Sequence, residues 1–459
     1  GKPIVYIQGN IHGGEVEGKE SLQAVLRDLL RGAAPNVLDS LILVAVPIYN
    51  ADGNEVWGPQ ERQRGAQNGP ATVGQRPNGA QLDLNRDYVK AEAPETNASL
   101  AMFNAWDPDV FVDLHTTNGS YHGYALTYSP SLHPAAMDAA LAPAGAWTRD
   151  TLLPLLRTRM RERHGFETFD YGNFRGAFEG RDDPTSLRKA AWETYEHKQR
   201  FGTNYYGLRN RVSVLSEAYS HDPFERRVRS TSAYVTELLA AVAEHREVVL
   251  ARTRSAAPPR PGTAVPLRAE MTRTPFRAPV LVEALVATGD SLRYEPGLRP
   301  GFRRTFDFVP VEMPVYDRFD GTLSRTMPHG WVIPANNDQV LGRLRAHGIT
   351  VVPLDRAQRL RGERFVVDSI VRAPRPFQGH QEVRLEGRWE ATPLSLAAGA
   401  LVVPADQPRA LLAMLLLEPE SDDGLTTWNF LDDALSVGAA HPVQRLLAPA
   451  RLPAARPSR

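Results

Sequence analysis

Four short, mostly apolar runs separated by segments of helical periodicity constrain the fold of this chain more than any other feature of its sequence. Each run has the length of one buried strand. Between them, apolar residues recur at helical spacing before Gly32 and again around 145–163 and 230–250. Because buried strands that alternate with helices build sheets covered on both faces, we predict an α/β fold with a mixed, mostly parallel sheet flanked by helices. The four runs cover residues 4–7, 41–46, 110–114 and 212–216.

The second half of the chain has a different composition. Residues 251–262 are rich in proline and small residues, which is typical of a linker. Beyond them, short β-like runs with many prolines predict a smaller β-rich accessory region. We therefore divide the chain into an α/β domain at 1–254, a β-rich region at 263–447 and a tail at 448–459, whose composition predicts disorder.

The charge balance and the lack of cysteine narrow the classes of partner and of metal site. The chain carries 53 lysine and arginine residues and 53 aspartate and glutamate residues. It therefore lacks the concentrated positive charge on which nucleic-acid binding depends, and we expect a small substrate and no nucleic-acid partner. Because there is no cysteine, any metal ion must be held by imidazole and carboxylate groups.

The sequence also bears on membrane association and location. No apolar run reaches the roughly 20 residues that a membrane span needs, so we expect no membrane span. The chain begins with Gly-Lys-Pro directly before an apolar run. If an export leader has been removed, a secreted or periplasmic location is favoured, and otherwise a cytoplasmic one.

Three residues at the ends of predicted strands form a candidate metal site. His12 and Glu15 follow the first strand in the segment Gly-Asn-Ile-His-Gly-Gly-Glu, and loops at strand ends are where α/β proteins bind ligands. Alone, this pair is more typical of a surface histidine beside a capping glutamate. His115, at the end of the third run, supplies a third ligand, and a catalytic zinc site needs three protein ligands and one open position. We therefore predict that His12, Glu15 and His115 hold one zinc ion.

Two further motifs suit the chemistry of such a site. Glu217 directly follows the fourth run, where an acid beside a cation is suited to take a proton from a water molecule on that cation. The alternative is a helix-starting glutamate capped by Ser216. In the segment 82–87, Arg86 can bind a carboxylate through two parallel hydrogen bonds, although a structural salt bridge is the simpler role.

The order of these motifs resembles that of the zinc metallocarboxypeptidases related to carboxypeptidase A. The resemblance covers residues 4–220 and implies an eight-stranded α/β peptidase domain that holds one zinc ion. The matching motifs are His-x-x-Glu at His12 and Glu15, Pro-x-x-Asn-x-Asp-Gly at 47–53, Asp-x-Asn-Arg at 83–86, the strand-end His115 and the strand-end Glu217.

The resemblance implies roles for the residues around the zinc ion. Glu217 would be the general base, Asn85 and Arg86 would receive the terminal carboxylate of the substrate, and Asp83 would orient His12. The oxyanion-stabilising arginine lies upstream of the Asp-x-Asn-Arg motif, where Arg64 is favoured over Arg62 and Arg76. The tyrosine that covers the substrate precedes the base, where Tyr195 is favoured over Tyr205 and Tyr206.

We therefore predict a zinc-dependent hydrolase that releases C-terminal residues from peptides. The alternative is a zinc-dependent deacylase or amidohydrolase acting on N-acyl amino acids or cell-wall peptides. A non-catalytic binding protein is disfavoured, because a binder has no need of the base. Gly-x-Ser-x-Gly and His-Glu-x-x-His motifs are missing, which argues against serine and thermolysin-like mechanisms.

The segment 415–429 is the most distinctive part of the second half. It begins with three consecutive leucines, continues with an acidic run and ends in Thr-Thr-Trp-Asn. The pattern indicates a specifically packed segment. Its acidic run is more typical of a solvated loop than of a calcium site.

Overall fold

A computed structural model describes residues 1–32, 36–175, 190–254, 257–272, 277–290 and 301–453. Its first part alternates strands and helices as predicted. The strands there are β1 (Ile4–Gly9), β2 (Ile42–Val46), β3 (Gly58–Pro59), β4 (Thr72–Val73), β5 (Val110–Thr116), β6 (Leu126–Pro130), β7 (Thr168–Asp170), β8 (Asn173–Arg175), β9 (Ala191–Glu193) and β10 (Val212–Ala218). The helices are α1 (Glu17–Leu30), α2 (Ala51–Glu55), α3 (Gln60–Gln63), α4 (Pro94–Trp106), α5 (Pro134–Met137), α6 (Pro143–Trp147), α7 (Leu153–His164), α8 (Gly202–Leu208), α9 (Phe224–Glu244) and α10 (Arg246–Arg254).

The central sheet contains six strands in the order β2-β1-β5-β10-β6-β7. All neighbouring pairs are parallel except β10 with β6, which are antiparallel. The predicted fold class, a mixed and mostly parallel sheet flanked by helices, is confirmed. The described residues give this sheet six strands, where the resemblance implied eight. The four predicted runs are its four adjacent strands β2, β1, β5 and β10.

The two faces of the sheet bury different side chains because successive residues of a strand point to opposite sides. Val5 and Ile7 of β1 pack with α1, α7 and α9 on one face. Tyr6 of β1 and Phe111 of β5 point to the other face, where their rings stack at 5.8 Å. That second face is covered by α4 and α8 and by residues from the β-rich half of the chain.

The second half is β-rich, as predicted. Its strands are β11 (Ala264–Thr272), β12 (Arg277–Ala287), β13 (Phe302–Tyr316), β14 (Arg318–Thr326), β15 (Gly330–Ile333), β16 (Val352–Pro353), β17 (Gln358–Arg372), β18 (Val383–Leu396), β19 (Leu401–Pro404) and β20 (Ala440–Leu446). Its helices are α11 (Asp338–Ala346), close to the helical signal of the sequence, and α12 (Ala410–Leu417).

The two halves share one hydrophobic core. Every residue of α12 is buried, and Leu412 and Trp331 belong to the same cluster of side chains as Tyr6 and Phe103 of the first half. Strand β13 also pairs in parallel with β9, across the proposed boundary. The helix α10 ends at that boundary, but the core continues through it, so the division at 1–254 and 263–447 stays a prediction.

The acidic run of the 415–429 segment is neither a solvated loop nor a cluster free to bind calcium. Three of its carboxylates are buried against arginines: Glu418 pairs with Arg445, Glu420 lies 2.6 Å from Arg325, and Asp423 lies 2.7 Å from Arg200. The fourth, Asp422, lies 2.9 Å from His197. In the predicted tail, Arg451 exchanges two hydrogen bonds with the side chain of Gln358. The tail residues 454–459 lie outside the described residues. None of the helices in the described ranges has both the length and the apolar character needed to span a membrane.

A buried histidine joins the two halves. The Tyr205 hydroxyl of α8 donates to His347 Nδ1 at 2.8 Å, and His347 Nε2 donates to the Val89 carbonyl at 3.0 Å. Burial disfavours a second proton on the ring, and in the neutral form Nδ1 accepts from the Tyr205 hydroxyl while Nε2 carries the proton. Burial lowers the pKa of His347 to about 4.

We expect the free energy of unfolding to fall as the pH drops from about 6.5 toward about 4. In this window the unfolded chain binds a proton at His347 that the folded chain does not bind, so the folded state loses roughly 1.4 kcal/mol per pH unit for this group. His347→Gln should reduce that slope, measured by urea unfolding at a series of pH values. An unchanged slope would show that His347 does not titrate in this way.

Candidate metal and substrate site

The three predicted ligands meet at the carboxyl end of the central strands. His12 and Glu15 lie in the loop between β1 and α1, and His115 lies near the end of β5. Glu15 bridges the two rings: its Oε1 lies 2.9 Å from His12 Nδ1 and its Oε2 lies 2.9 Å from His115 Nδ1. One donor atom from each residue lies within 4.8 Å of the other two, and all three side chains are buried.

A glycine lets the ligand loop pack tightly. Gly13 allows close approach, because a Cβ there would lie 2.4 Å from the backbone of Gly53 and 2.6 Å from the Gln75 carbonyl. A side chain at Gly13 would therefore displace the ligand loop.

Each candidate histidine ligand has a second carboxylate next to its Nε2 atom, the ring nitrogen that does not face Glu15. His12 Nε2 is hydrogen-bonded to Asp83 Oδ1 at 3.1 Å, and His115 Nε2 lies 2.9 Å from Asp113 Oδ2. A carboxylate at Nε2 favours a proton on that nitrogen and leaves Nδ1 as a lone-pair donor. Both Nδ1 atoms face Glu15, so the donor set is oriented for one shared cation. Asp113 escaped sequence reasoning, although its position two residues before His115 places both side chains on the same strand face.

The charges around the donor set fit a divalent cation such as zinc. Four carboxylates, Glu15, Asp83, Asp113 and Glu217, lie around it with the two guanidinium groups of Arg64 and Arg76. When the histidines donate as neutral ligands and all four carboxylates are ionised, as a bound cation would favour, the site carries two more negative than positive charges. Burial by itself would raise the pKa of the Glu15 carboxyl, but Arg64 and His12 hold it well below its usual range. Two imidazoles and one ionised carboxylate are the N and O ligands that zinc accepts.

Glu217 lies beside the donor set because of strand register. In the parallel pair β5 and β10, Glu217 is the direct partner of His115, so their side chains project from the same face. The Glu217 carboxyl is buried, and its Oε2 has no hydrogen-bond partner among the described residues. Burial, with a smaller contribution from Glu15, raises the pKa of Glu217 to about 8. A buried carboxylate oxygen without a partner is available to accept a proton.

The Asp-x-Asn-Arg motif forms a 3₁₀ turn, Leu84–Arg86, rather than an extended segment. The Asn85 amide oxygen accepts from Gly202 N at 3.0 Å. The Arg86 guanidinium lies 4.1 Å from the centre of the Phe201 ring, and no carboxylate of the described residues lies within 4.0 Å of it. Its Nη1 donates to the Asn85 carbonyl at 2.8 Å, and with no carboxylate partner among the described residues the guanidinium charge is available for an anionic ligand.

The two rival arginines have different surroundings. Arg64 donates to Glu15 Oε1 at 2.7 Å and to the carbonyls of Thr116 and Thr117. It does not line the cavity. Arg76 lines the cavity, with 39% of its side chain exposed, and is held by Asp83. Arg76, seven positions before Asp83, thus faces the cavity, and Arg64, which the sequence favoured for the oxyanion role, does not line it.

The three candidate tyrosines differ in whether they face the cavity or the core. Tyr195 lines the cavity, and its ring packs against Tyr171 and Phe201. Tyr205 and Tyr206 are fully buried in the shared core instead. Only Tyr195 of the three therefore faces the predicted site.

All predicted site residues except Arg64 and Asp83 line one cavity with a volume of about 540 Å³. Ten of its lining residues were not singled out from the sequence. Phe377 and Glu382 come from the connection between β17 and β18, so the β-rich half contributes to the cavity wall. The ten are Asn118, Tyr171, Glu196, Lys198, Arg200, Phe201, Thr203, Leu215, Phe377 and Glu382.

Comparison with known proteins gives a family match to the first part of the chain and relatives that match almost the whole chain. Residues 1–139 match the family model of peptidase M14, described as zinc carboxypeptidase. The chain is 22% identical over 450 residues to Carboxypeptidase 2 of Trichophyton equinum, covering 96% of this chain and 76% of the relative. It is 21% identical over 457 residues to Carboxypeptidase 2 of Trichophyton rubrum, with the same coverage. These matches run through both halves of the chain and give no support to the deacylase alternative.

Solved structures match over about half of this chain. The metallo-carboxypeptidase from Burkholderia cenocepacia aligns with a TM-score of 0.36 and 18% identity over 54% of this chain and 58% of its own length. Bovine thrombin-activatable fibrinolysis inhibitor aligns with a TM-score of 0.36 and 12% identity, over 53% of this chain and 83% of its own. The chain thus spans little more than half of the first of these.

Proposed function

We propose that this chain, which carries a zinc carboxypeptidase domain, hydrolyses the C-terminal peptide bond of peptides. The observation that carries the proposal is that one cavity brings together the His12, Glu15 and His115 donor set, the base candidate Glu217, and the Arg86 guanidinium, which has no carboxylate partner among the described residues. The name Carboxypeptidase 2, carried by relatives that match almost the whole of this chain, is consistent with this activity.

His12, Glu15 and His115 would hold the zinc ion, with Asp83 and Asp113 fixing the two rings. When bound, zinc acts as a Lewis acid that lowers the pKa of a water molecule and polarises a carbonyl group.

Glu217 acts as the general base and then as the general acid. Its free Oε2 accepts a proton from the attacking water and passes the proton to the departing amine. The register with His115 places this carboxylate beside the donor set without any loop movement.

Arg76, rather than Arg64, stabilises the negative charge that develops on the carbonyl oxygen of the substrate. Its guanidinium reaches the cavity, whereas the N–H groups of Arg64 are used by Glu15 and by two backbone carbonyls. A fixed cation at the developing charge is usually the largest single contribution to catalysis in such reactions.

Arg86 and Asn85 receive the terminal carboxylate, and Tyr195 covers the bound residue. With the Asn85 oxygen bonded to Gly202, the amide NH₂ is left as the donor toward the cavity. Burial raises the pKa of the Tyr195 hydroxyl, so the neutral phenol remains a hydrogen-bond donor.

Glu217→Gln should keep one zinc ion per chain and lower kcat by about 10²- to 10⁴-fold, because only the proton acceptor is removed. His115→Ala is the contrasting variant: it should lose zinc itself, because two protein ligands cannot hold the ion in a three-ligand site. Metal analysis measures the zinc content of both variants, and hydrolysis of the C-terminal bond of a peptide measures their turnover. Near-normal turnover in Glu217→Gln would contradict its assignment as the base.

Arg76→Ala should lower kcat by about 10²- to 10³-fold while zinc is retained. Arg64→Ala should mainly lower the free energy of unfolding, by about 1–3 kcal/mol, because it leaves buried carbonyls unpaired. Turnover and urea unfolding of the two variants separate these effects. If Arg64→Ala loses more turnover than Arg76→Ala at unchanged stability, the oxyanion role returns to Arg64.

The unmodified enzyme should cleave peptides with a free C-terminal carboxylate far better than the same peptides with an amidated end. Loss of the substrate charge leaves Arg86 unpaired, a cost of about 2–5 kcal/mol, or roughly thirty- to several-thousand-fold in kcat/KM. Arg86→Ala should remove this discrimination and keep zinc. Equal cleavage of both peptides by the unmodified enzyme would contradict the exopeptidase proposal.

A further inference from the structure

We infer that the β-rich half positions the substrate-recognition wall of the cavity, through an ion pair between Arg200 and Asp423. The wall is the segment 194–202, which carries Tyr195 and Phe201. The inference rests on the proposed function, because the wall matters only if Arg86 and Asn85 bind the substrate. It gives Asp423 the role of a positioning residue that does not itself touch the substrate.

The start of the wall is anchored by β-sheet pairing. Strand β9 precedes the wall and pairs in parallel with the end of β13, with Trp192 opposite Val315 and Glu193 opposite Tyr316. The pairing continues into the wall, because Thr194 N donates to the Tyr316 carbonyl at 2.9 Å. The backbone immediately before Tyr195 is therefore fixed by the second half of the chain.

The end of the wall is anchored by the acidic segment that follows α12. Asp423 is fully buried and accepts from Arg200 twice, from the backbone N at 2.7 Å and from Nε at 2.9 Å. One residue earlier, Asp422 Oδ2 lies 2.9 Å from His197 Nε2. Gln199 donates to the Asp423 carbonyl at 2.9 Å. Three residues of the wall thus contact two adjacent aspartates that lie more than two hundred positions away in the chain.

Further contacts from the same half complete the surroundings of Arg200. Its Nη1 donates to Glu382 Oε1 at 2.7 Å, and its guanidinium lies 4.4 Å from the centre of the Trp428 ring. Trp428 Nε1 in turn donates to Asp423 Oδ1 at 3.0 Å. Because loss of one member of a buried ion pair is costly, and because Glu382 would then be the remaining carboxylate on Arg200 among the described residues, loss of Asp423 would favour displacement of Arg200.

The two residues that follow Arg200, Phe201 and Gly202, contact the proposed carboxylate-binding residues Arg86 and Asn85. The Phe201 ring packs on the Arg86 guanidinium at 4.1 Å and on the Tyr195 ring at 5.2 Å. Gly202 N donates to the Asn85 amide oxygen and thereby fixes which end of that amide faces the substrate. Displacement of Arg200 would consequently loosen both groups that receive the terminal carboxylate.

Asp423→Asn tests the inference in the full chain. It should keep zinc and raise KM for a peptide with a free C-terminus by about 10- to 100-fold, because small misplacement of a binding group costs rates of this order. The KM for the amidated peptide should change less, so the discrimination between the two substrates should fall. Hydrogen exchange should speed up at the backbone amide of Arg200, which donates to Asp423.

The matched control is Glu420→Gln. Glu420 lies in the same segment, is equally buried and pairs with Arg325, and Trp389 donates to it, but it makes no contact with the wall. This variant should lose stability while KM, discrimination and exchange in the wall stay at the values of the unmodified enzyme. If Asp423→Asn and Glu420→Gln change KM equally, or if Asp423→Asn leaves KM and exchange unchanged, the inference is wrong.

Two outcomes need separate readouts. If Asp423→Asn does not fold, Glu382→Gln removes the other carboxylate on Arg200 at a partly exposed position, and it should give a smaller rise in KM of the same kind. If the unmodified chain hydrolyses no peptide, the proposed function fails. The exchange experiment then tests only whether Asp423 positions the wall. Exchange in the wall of Asp423→Asn that is as slow as in the unmodified chain would contradict that positioning role.

Discussion

The register of three neighbouring parallel strands is the constraint on which the site depends. Strands β1, β5 and β10 are aligned so that Gly9 pairs with Leu114 and His115 pairs with Glu217. Asp113, His115 and Glu217 then project from the same face as Tyr6 and Phe111, with apolar rings at the strand starts and titratable groups at the strand ends. A slip of one residue would turn His115 or Glu217 to the opposite face. The apolar packing that fixes the register therefore also sets the relative positions of Asp113, His115 and Glu217.

The same burial that holds the site together makes its charges depend on each other. Glu15 stays ionised because Arg64 and His12 outweigh the cost of its burial. At Glu217 the cost of burial outweighs the positive charges of His115, Arg64 and Arg76, and the pKa of its carboxyl is raised to about 8. A bound divalent cation would favour its ionised form, since an opposite charge nearby stabilises a carboxylate. The proposed ligands and Glu217 thus form one electrostatic unit, in which a bound cation would lower the pKa of Glu217.

The parts of this structure that follow from local pattern could be predicted from the sequence. The four central strands are continuous apolar runs, and the ligands lie at their ends, where the chain order alone places His12, Glu15, His115 and Glu217. The sequence favoured Arg64 over Arg76, but it does not show which guanidinium faces the cavity. That depends on which of the two donates its N–H groups to neighbouring backbone carbonyls. Helix α12 escaped prediction, since an uninterrupted apolar run of that length shows no periodicity that separates helix from strand. The contributions of Phe377 and Glu382 were equally out of reach, because they depend on contacts between distant segments.

The boundary that composition marks near residue 254 is therefore not the boundary of the active site. The second half supplies α12 to the core behind the catalytic sheet, β13 to the strand before Tyr195, and Asp423 to the wall behind Arg86. The buried carboxylates Glu418, Glu420 and Asp423 all lie in one short segment, and each is neutralised by an arginine from a different element. Because a buried carboxylate without its partner is costly, this segment fits in only one position. A segment with one allowed position is a firm support for the wall at 194–202, and that explains how a β-rich region remote in sequence can shape the cavity.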